Sequence, residues 1–273
     1  ILNNFDLPAM GKGVESTHLY LEAARLAYAD RALYMADSDF VDMPQGLLDR
    51  EYLANRATLI DSAKSMGKAE AGTPPWEEAA LYSPDLQAER PGTSHFSIVD
   101  RQGNIVSMTT TIETGFGSRV MTNGFLLNNE LTDFSRQPMS DGKPVANRVE
   151  GGKRPRSSMA PTIVLKDGKP ILAIGSPGGS RIINYVASAL IDILDFGMDP
   201  QQALGDAHIV NRNGSTDIEA NTKAQAVAAE LQALGYEVNV RDLNSGLHAI
   251  LINEDGTLVG AADPRREGQA DGR

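Results

Sequence analysis

The chain has 273 residues, a formal net charge of −11 and no cysteine. That acidity repels phosphate backbones and argues against a nucleic-acid partner, and the lack of cysteine excludes disulfides, thiolate catalysis and cysteine metal sites together. Hydrophobic residues make up 41%, enough for a sizeable core, and no apolar run approaches the roughly 18 residues of a membrane span.

The first residues, Ile1-Leu2-Asn3-Asn4-Phe5, have neither an initiator methionine nor the basic start and apolar middle of a signal peptide, so the chain is expected to be a piece of something longer. Residues 14–66 read as helical. Leu19, Ala23, Leu26 and Ala27 share one face at helical spacing, with Ser16 as the expected N-cap and Asp37-Ser38-Asp39 as the stop. A second helix is expected from about Leu48 to Ser65, ending at Gly67. Residues 67–92, punctuated by Gly72-Thr73-Pro74-Pro75, Ser83-Pro84 and Pro91-Gly92, read as a long irregular surface segment.

The period changes to two at Thr93. His95–Asp100 and Ile105–Thr111 read as strands joined by a turn at Arg101–Asn104. Thr162–Lys166 and Ile171–Ile174 form a second strand pair across Asp167-Gly168. A helix follows Gly178-Gly179, carried by Ile182, Ile183, Val186, Leu190, Ile193 and Leu194 and ended by Gly197. A last helix covers about Lys223–Leu234, and Glu237–Arg241, Leu247–Ile252 and Thr257–Ala261 read as strands. Helices first, then strands with helices between them, predict layered sheets covered by helices.

Four stretches could carry chemistry. In Pro91-Gly92-Thr93-Ser94-His95, a threonine that became a chain start could use its own α-amine as base, since that group titrates near pH ~8. The simpler alternative is a residue opening a strand after a turn. Ser94 and His95 point to opposite faces of a strand and cannot easily pair. In Gly175-Ser176-Pro177-Gly178-Gly179-Ser180-Arg181, adjacent glycines at a helix start can aim backbone N–H groups at an oxyanion, or simply mark a helix entry. It lacks the Gly-Lys-Ser/Thr ending of a phosphate-binding loop. In Gly151-Gly152-Lys153-Arg154-Pro155-Arg156-Ser157-Ser158-Met159, two hydroxyls beside three cations could hold a carboxylate, or form a solvated basic loop. In Leu126-Leu127-Asn128-Asn129-Glu130-Leu131-Thr132-Asp133-Phe134-Ser135, Glu130 and Asp133 could bind an ammonium, hold a metal or do acid–base work. No histidine stands nearby, which argues against a transition metal.

Together, and in this order, the four stretches resemble the γ-glutamyltranspeptidase family across nearly the whole chain. The carriers are Thr-Ser-His-Phe-Ser, Leu-Leu-Asn-Asn-Glu, Lys-Arg-Pro-Arg-Ser-Ser-Met and Gly-Ser-Pro-Gly-Gly-Ser-Arg, with Asp263-Pro264-Arg265-Arg266 closing the match. The resemblance implies an α+β fold, the αββα sandwich of N-terminal-nucleophile hydrolases. Residues 1–92 would be the end of the large subunit and residues 93–273 the small subunit, separated by autocatalytic cleavage of the Gly92–Thr93 bond. Thr93 would be the nucleophile and Thr111 would hydrogen-bond its hydroxyl. Glu130 and Asp133 would hold the α-ammonium of a γ-glutamyl group, Ser157 and Ser158 its α-carboxylate, and the Gly178 and Gly179 amides the oxyanion.

Glu113 stands where well-known members carry asparagine and is a further candidate for substrate binding. The stretch from Ser135 to Ser157, where the family carries a lid, is short and lacks tyrosine. Members also use a large-subunit arginine for the carboxylate, which the resemblance places upstream of Ile1, in the missing N-terminal half. No cofactor or metal is implied. The partners implied are a γ-glutamyl donor such as glutathione and an amino-acid or peptide acceptor, in a periplasmic or extracellular setting. The alternatives are a cephalosporin or glutaryl acylase on the same scaffold, for which gripping an ammonium is unnecessary, and an inactive fragment.

Overall fold

The computed structural model describes residues 1–76, 82–86 and 92–272. Helices dominate the early part and strands the later part: α1 (Leu7–Met10), α2 (Val14–Tyr34), α3 (Arg50–Ala57), β1 (Thr93–Val99), β2 (Ile105–Thr111), β3 (Met121–Thr122), β4 (Phe125–Leu126), β5 (Met139–Ser140), β6 (Lys143–Pro144), β7 (Thr162–Lys166), β8 (Lys169–Gly175), α4 (Ile182–Leu194), α5 (Pro200–Leu204), β9 (Ile209–Asn211), β10 (Thr216–Glu219), α6 (Ala228–Ala233), β11 (Val238–Arg241), β12 (His248–Ile252) and β13 (Leu258–Ala262). They fall into two units. The first comprises Ile1–Ala88, Glu130–Ser157 and Ile209–Arg241; the second comprises Glu89–Asn129, Ser158–His208 and Asp242–Arg273. Among the described residues no helix is long and apolar enough to cross a membrane.

In the first unit α2 starts earlier than its sequence suggests. Gly13 is the N-cap, and Ser16 lies inside the first turn, where its Oγ accepts the Gly13 N–H at 3.0 Å. This is the backward-reaching half of a capping box. Leu19, Ala23 and Leu26 are buried as expected, but Ala27 is exposed, whereas Glu22 and Arg25 are buried. Glu22 can be buried because its carboxylate accepts from Ser65 Oγ (2.9 Å) and Met66 N (2.7 Å) and pairs with Arg25 at 3.2 Å.

The same bonds explain why the second helix is short. Asp49 caps it through Tyr52 N at 2.9 Å, and it ends at Ala57 rather than Ser65. Beyond it, Asp61 O is held by His18 (2.8 Å) and Met66 N by Glu22, partners that a helix through this stretch would forgo. The described part of the 67–92 segment is also less superficial than expected: Ala69, Ser83 and Asp85 are buried. Ala69 exchanges two hydrogen bonds with the Asn213 side chain (2.7 and 2.8 Å), and Gly72 N donates to Asp30 Oδ1 at 2.7 Å. Residues 77–81 and 87–91, including Pro91 of the expected turn, lie outside the described residues.

A three-stranded sheet in the order β11-β10-β9 completes this unit, with β10 and β11 parallel. The expected helix at 223–234 is a 3-10 turn over Lys223–Val227 followed by α6.

The second unit is layered. β1 and β2 pair antiparallel from Thr93↔Thr111 to Val99↔Ile105. Their turn is fixed by Asp100, whose carboxylate accepts from Gln102 N (2.9 Å) and Asn104 N (2.8 Å). A four-stranded antiparallel sheet, β13-β12-β8-β7, lies against this pair. Ser107 Oγ of β2 donates to the Ile174 carbonyl of β8 at 3.0 Å, and the His95 ring of β1 packs on Gly175. On the helical side Gln201 of α5 exchanges two hydrogen bonds with the Ala262 backbone (2.8 and 3.1 Å), and Ile182, Val186, Ala189 and Ile193 of α4 are buried. The outward face of β1–β2 is apolar: Phe96 opposes Met108 and Ile98 opposes Val106, each 39–51% exposed.

Gly175 is required by this layering. A Cβ there would come within 2.2 Å of the buried His95 ring, which Thr109 and Ser97 hold in place. Gly175→Ala is expected to destabilise the full-length protein by about 1–3 kcal/mol, the usual cost of overpacking. Urea unfolding would measure this, and an unchanged midpoint would show that the ring has room to swing.

Candidate active site

Thr93 is buried at the first position of β1, directly across the ladder from Thr111. Thr111 Oγ1 accepts from Thr93 Oγ1 at 3.3 Å and from Glu113 N at 2.8 Å, and donates to the Gly92 carbonyl at 3.2 Å. A hydroxyl offers one proton and two lone pairs, and here all three are committed. Because both lone pairs receive, the Thr111 proton is directed at Gly92 O. One side chain therefore touches both the hydroxyl of Thr93 and the carbonyl of the bond that precedes it.

Gly92 is fixed by proximity. A Cβ on it would stand 1.8 Å from the Glu113 carbonyl oxygen. Glu113 itself has φ 74, the left-handed region that a residue with a Cβ rarely adopts. It is buried and held there by its N–H to Thr111 and by Asn129 Nδ2, which donates to its Oε2 at 2.8 Å. Glu113 thus braces the Thr111 turn through Asn129.

The carbonyl of Thr93 accepts from Arg266 Nη1 at 3.3 Å, and Arg266 Nε donates to Asn244 Oδ1 at 3.1 Å. Gly246 is pressed between that arginine and the glycine-rich turn: a Cβ would lie 2.7 Å from Pro177 Cγ and 2.8 Å from Arg266 Cδ. The turn continues into Gly178 (φ 143) and Gly179 (φ 60), ahead of α4. Gly178 sits under Tyr185, whose ring a Cβ would approach to 2.6 Å.

Behind Tyr185 stands a buried polar row. The His208 ring packs against Tyr185 at a tilt of 38°, with centroids 4.4 Å apart, and its Nε2 lies 2.6 Å from Ser245 Oγ, which in turn donates to Asp263. Since the serine proton goes to the carboxylate, His208 Nε2–H is the donor to Ser245. Burial pushes the Asp263 pKa up, but hydrogen bonds from Ser245 and from the Arg265 backbone and guanidinium outweigh it and hold the carboxyl below its ordinary value. Arg266, Gly246 and this row were not singled out by sequence reasoning; Asp263-Pro264-Arg265-Arg266 entered only as the close of a resemblance.

His95 does not pair with Ser94. Ser94 is exposed and His95 buried, with Nδ1 2.8 Å from Thr109 Oγ1 and Nε2 3.2 Å from Ser97 Oγ. Burial, and then the nearby His248, push its pKa down to about 4. The ring is therefore neutral at pH 7.

The remaining expected site residues are distributed between the units. Glu130 and Asp133 are half-buried in the first unit, at the two ends of a single 3-10 turn, where residues three apart eclipse one another. Ser157, exposed, also belongs to the first unit; Ser158, buried, belongs to the second with Thr93, Thr111, Glu113, Gly178 and Gly179. Among the described residues no group of three or more His, Cys, Asp or Glu side chains is placed to hold a metal ion.

A sequence model of the family described as Gamma-glutamyltranspeptidase matches residues 1–272. The glutathione hydrolase proenzyme of Bacillus subtilis (strain 168) is 37% identical over 284 residues, covering 100% of this chain and 47% of the relative. The acylase ACY 1 proenzyme of Pseudomonas sp. (strain SE83) is 34% identical over 275 residues, covering 98% of this chain and 46% of the relative. The chain thus spans about half the length of the curated relatives it matches. Among solved structures, the gamma-glutamyltranspeptidase from Pseudomonas nitroreducens complexed with L-DON superposes with a TM-score of 0.59 at 37% identity, over 66% of this chain and 98% of that one. The fold is accordingly α+β, of the N-terminal-nucleophile hydrolase type.

The depressed His95 pKa makes stability depend on pH. The unfolded chain binds the proton near the ordinary 6.5, the folded protein only near about 4. Between these values the unfolded state holds more protons, so the His95 contribution is fully present above pH 6.5 and is lost as pH falls toward 4. His248, also lowered by burial, acts with the same sign. Urea midpoints measured from pH 8 to pH 4 are expected to fall less steeply in His95→Gln than in the wild type, and parallel curves would overturn the assignment.

Proposed function

The chain belongs to the gamma-glutamyltranspeptidase family, and from that membership we propose that the full-length protein cleaves itself before Thr93 and then hydrolyses or transfers γ-glutamyl groups. The observation that carries this reading is the Thr111 hydroxyl, bonded at once to Thr93 Oγ1 and to Gly92 O.

In the first stage Thr93 Oγ attacks the Gly92 carbonyl carbon. The C–N bond breaks, the proton that the hydroxyl gives up ends on the Thr93 nitrogen, and an ester joins Gly92 to the side chain. The Thr111 proton on Gly92 O favours the attack by stabilising charge that develops on that oxygen. Water then hydrolyses the ester and leaves Thr93 with a free α-amine.

In the second stage the same hydroxyl attacks a γ-glutamyl amide. The α-amine takes its proton and passes it to the departing amine, leaving a γ-glutamyl ester. Water or an acceptor amine resolves that ester and regenerates the hydroxyl. Glu130 and Asp133 hold the donor's α-ammonium, Ser157 and Ser158 its α-carboxylate, and the Gly178 and Gly179 amides the oxyanion. Glutathione is the donor that fits this assignment, and a periplasmic or extracellular location belongs to the same reading. The two left-handed glycines support the oxyanion role, because only glycine adopts both conformations without strain.

Two substitutions in the full-length protein test this. Thr93→Ala is expected to abolish both the appearance of two subunits on a denaturing gel and the release of aniline from a γ-glutamyl anilide. Two normal subunits with normal turnover would sink the assignment. Asp133→Asn is expected to weaken γ-glutamyl anilide far more than glutaryl anilide, since truncating one partner of a desolvated charge pair costs about 2–5 kcal/mol. Equal losses for the two substrates would favour the acylase reading, which the relative at 34% identity also supports.

A further inference from the structure

Asn147 lies in the first unit, 1% exposed, and its side chain makes three hydrogen bonds, two as donor and one as acceptor. Nδ2 donates to the Asp133 carbonyl at 2.8 Å and to Asp85 Oδ2 at 3.0 Å. Oδ1 accepts the Arg156 backbone N–H at 2.9 Å. Its own carbonyl accepts the Ser135 N–H at 2.9 Å. The residue thus fastens the chain on both sides of Phe134, next to Asp133, and again immediately before Ser157. Further contacts complete the frame: Arg156 Nη2 donates to Asp85 Oδ2 (3.3 Å), Arg156 Nη1 to the Arg31 carbonyl (3.2 Å), and Arg31 Nη2 to the Ser157 carbonyl (3.3 Å).

We propose that Asn147 is the positioning residue of the amino-acid clamp: it sets the spacing between Asp133, which reads the ammonium, and Ser157, which reads the carboxylate. This rests on the γ-glutamyl reading above. The two charges of an α-amino acid hang on one carbon, so the groups that grip them must stand a fixed distance apart, and a misfit at one loosens the other. Asparagine suits the task because two donors and one acceptor on a short planar head match two carbonyl-type oxygens and one N–H. Aspartate has the shape without the donors, and glutamine has the head on a longer stem. Asn147 touches no reacting atom and acts through the two loops it ties.

Asn147→Asp in the full-length protein turns both donors into acceptors facing Asp133 O and the Asp85 carboxylate. The expected result is a KM for γ-glutamyl anilide raised about 10- to 100-fold, the scale on which small misplacements act, with kcat and the extent of self-cleavage near wild type. A purely structural role would instead lower self-cleavage and kcat together at constant KM, and that pattern would overturn the proposal. The double variant Asn147→Asp with Asp85→Asn guards against simple misfolding. It restores a donor between residues 85 and 147 and is expected to recover stability, but it does not restore the bond from residue 147 to Asp133 O, so KM stays high. A double variant that regains wild-type KM would overturn the proposal as well. Equal turnover of γ-glutamyl and glutaryl anilides by the wild type would instead overturn the γ-glutamyl reading, and with it the clamp that Asn147 serves.

Discussion

The second unit is organised around one hydroxyl group. Thr111 Oγ1 spends its proton and both lone pairs on Gly92 O, Thr93 Oγ1 and Glu113 N, and it can do so only in the observed register of β1 and β2. A one-residue slip would turn Thr93 or Thr111 to the opposite face of the sheet, carrying Thr93 out with the apolar residues and separating the three partners. The register is set at the far end by the Asp100 turn and across the layers by Ser107 and His95. Bonds well away from Thr93 therefore keep its hydroxyl in place.

Close approach does the rest of the positioning. Gly92 lies against the Glu113 carbonyl, Gly246 fits between Pro177 and Arg266, and Gly178 lies under Tyr185. Each of these contacts is made by backbone where a side chain would intrude. A hydrogen-bonded row from Asp263 through Ser245 to His208 backs the Tyr185 ring in turn. Cost accumulates at Glu113, whose left-handed backbone is held by its N–H to Thr111 and by Asn129 at its carboxylate.

Much of this was legible in the sequence where alternation or spacing was clean. The strands of β1, β2 and β7 and the helix after Gly178-Gly179 appear where period two and period 3.6 put them. Apolar periodicity failed where polar groups are buried in pairs. Glu22 and Arg25 fill interior positions of α2 that the hydrophobic pattern assigned elsewhere, and Asn211 and Thr216, buried and bonded to one another at 2.8 Å, hide β9 and β10 from an apolar template. The site divided similarly. Thr93, Glu130, Asp133 and the glycine pair stand out as candidates by residue type, and their roles belong to the proposal above. Asn147 and Arg266 hydrogen-bond backbone carbonyls of distant residues, and nothing local in sequence records a partner 14 or 173 residues away.

The outward face of β1–β2 also has a colloidal consequence. Phe96, Met108, Ile98 and Val106 present two adjacent apolar cross-strand pairs to water, and such a face attracts its own kind. The net charge of −11 opposes that attraction by keeping copies apart. The two forces differ in range and in their response to electrolyte: charge repulsion is screened beyond about 8 Å at physiological ionic strength, whereas apolar contact is not weakened by salt. For a chain of these residues alone, rising salt concentration therefore removes the restraint and leaves the attraction, so the protein disperses best in dilute buffer and clusters as ions are added.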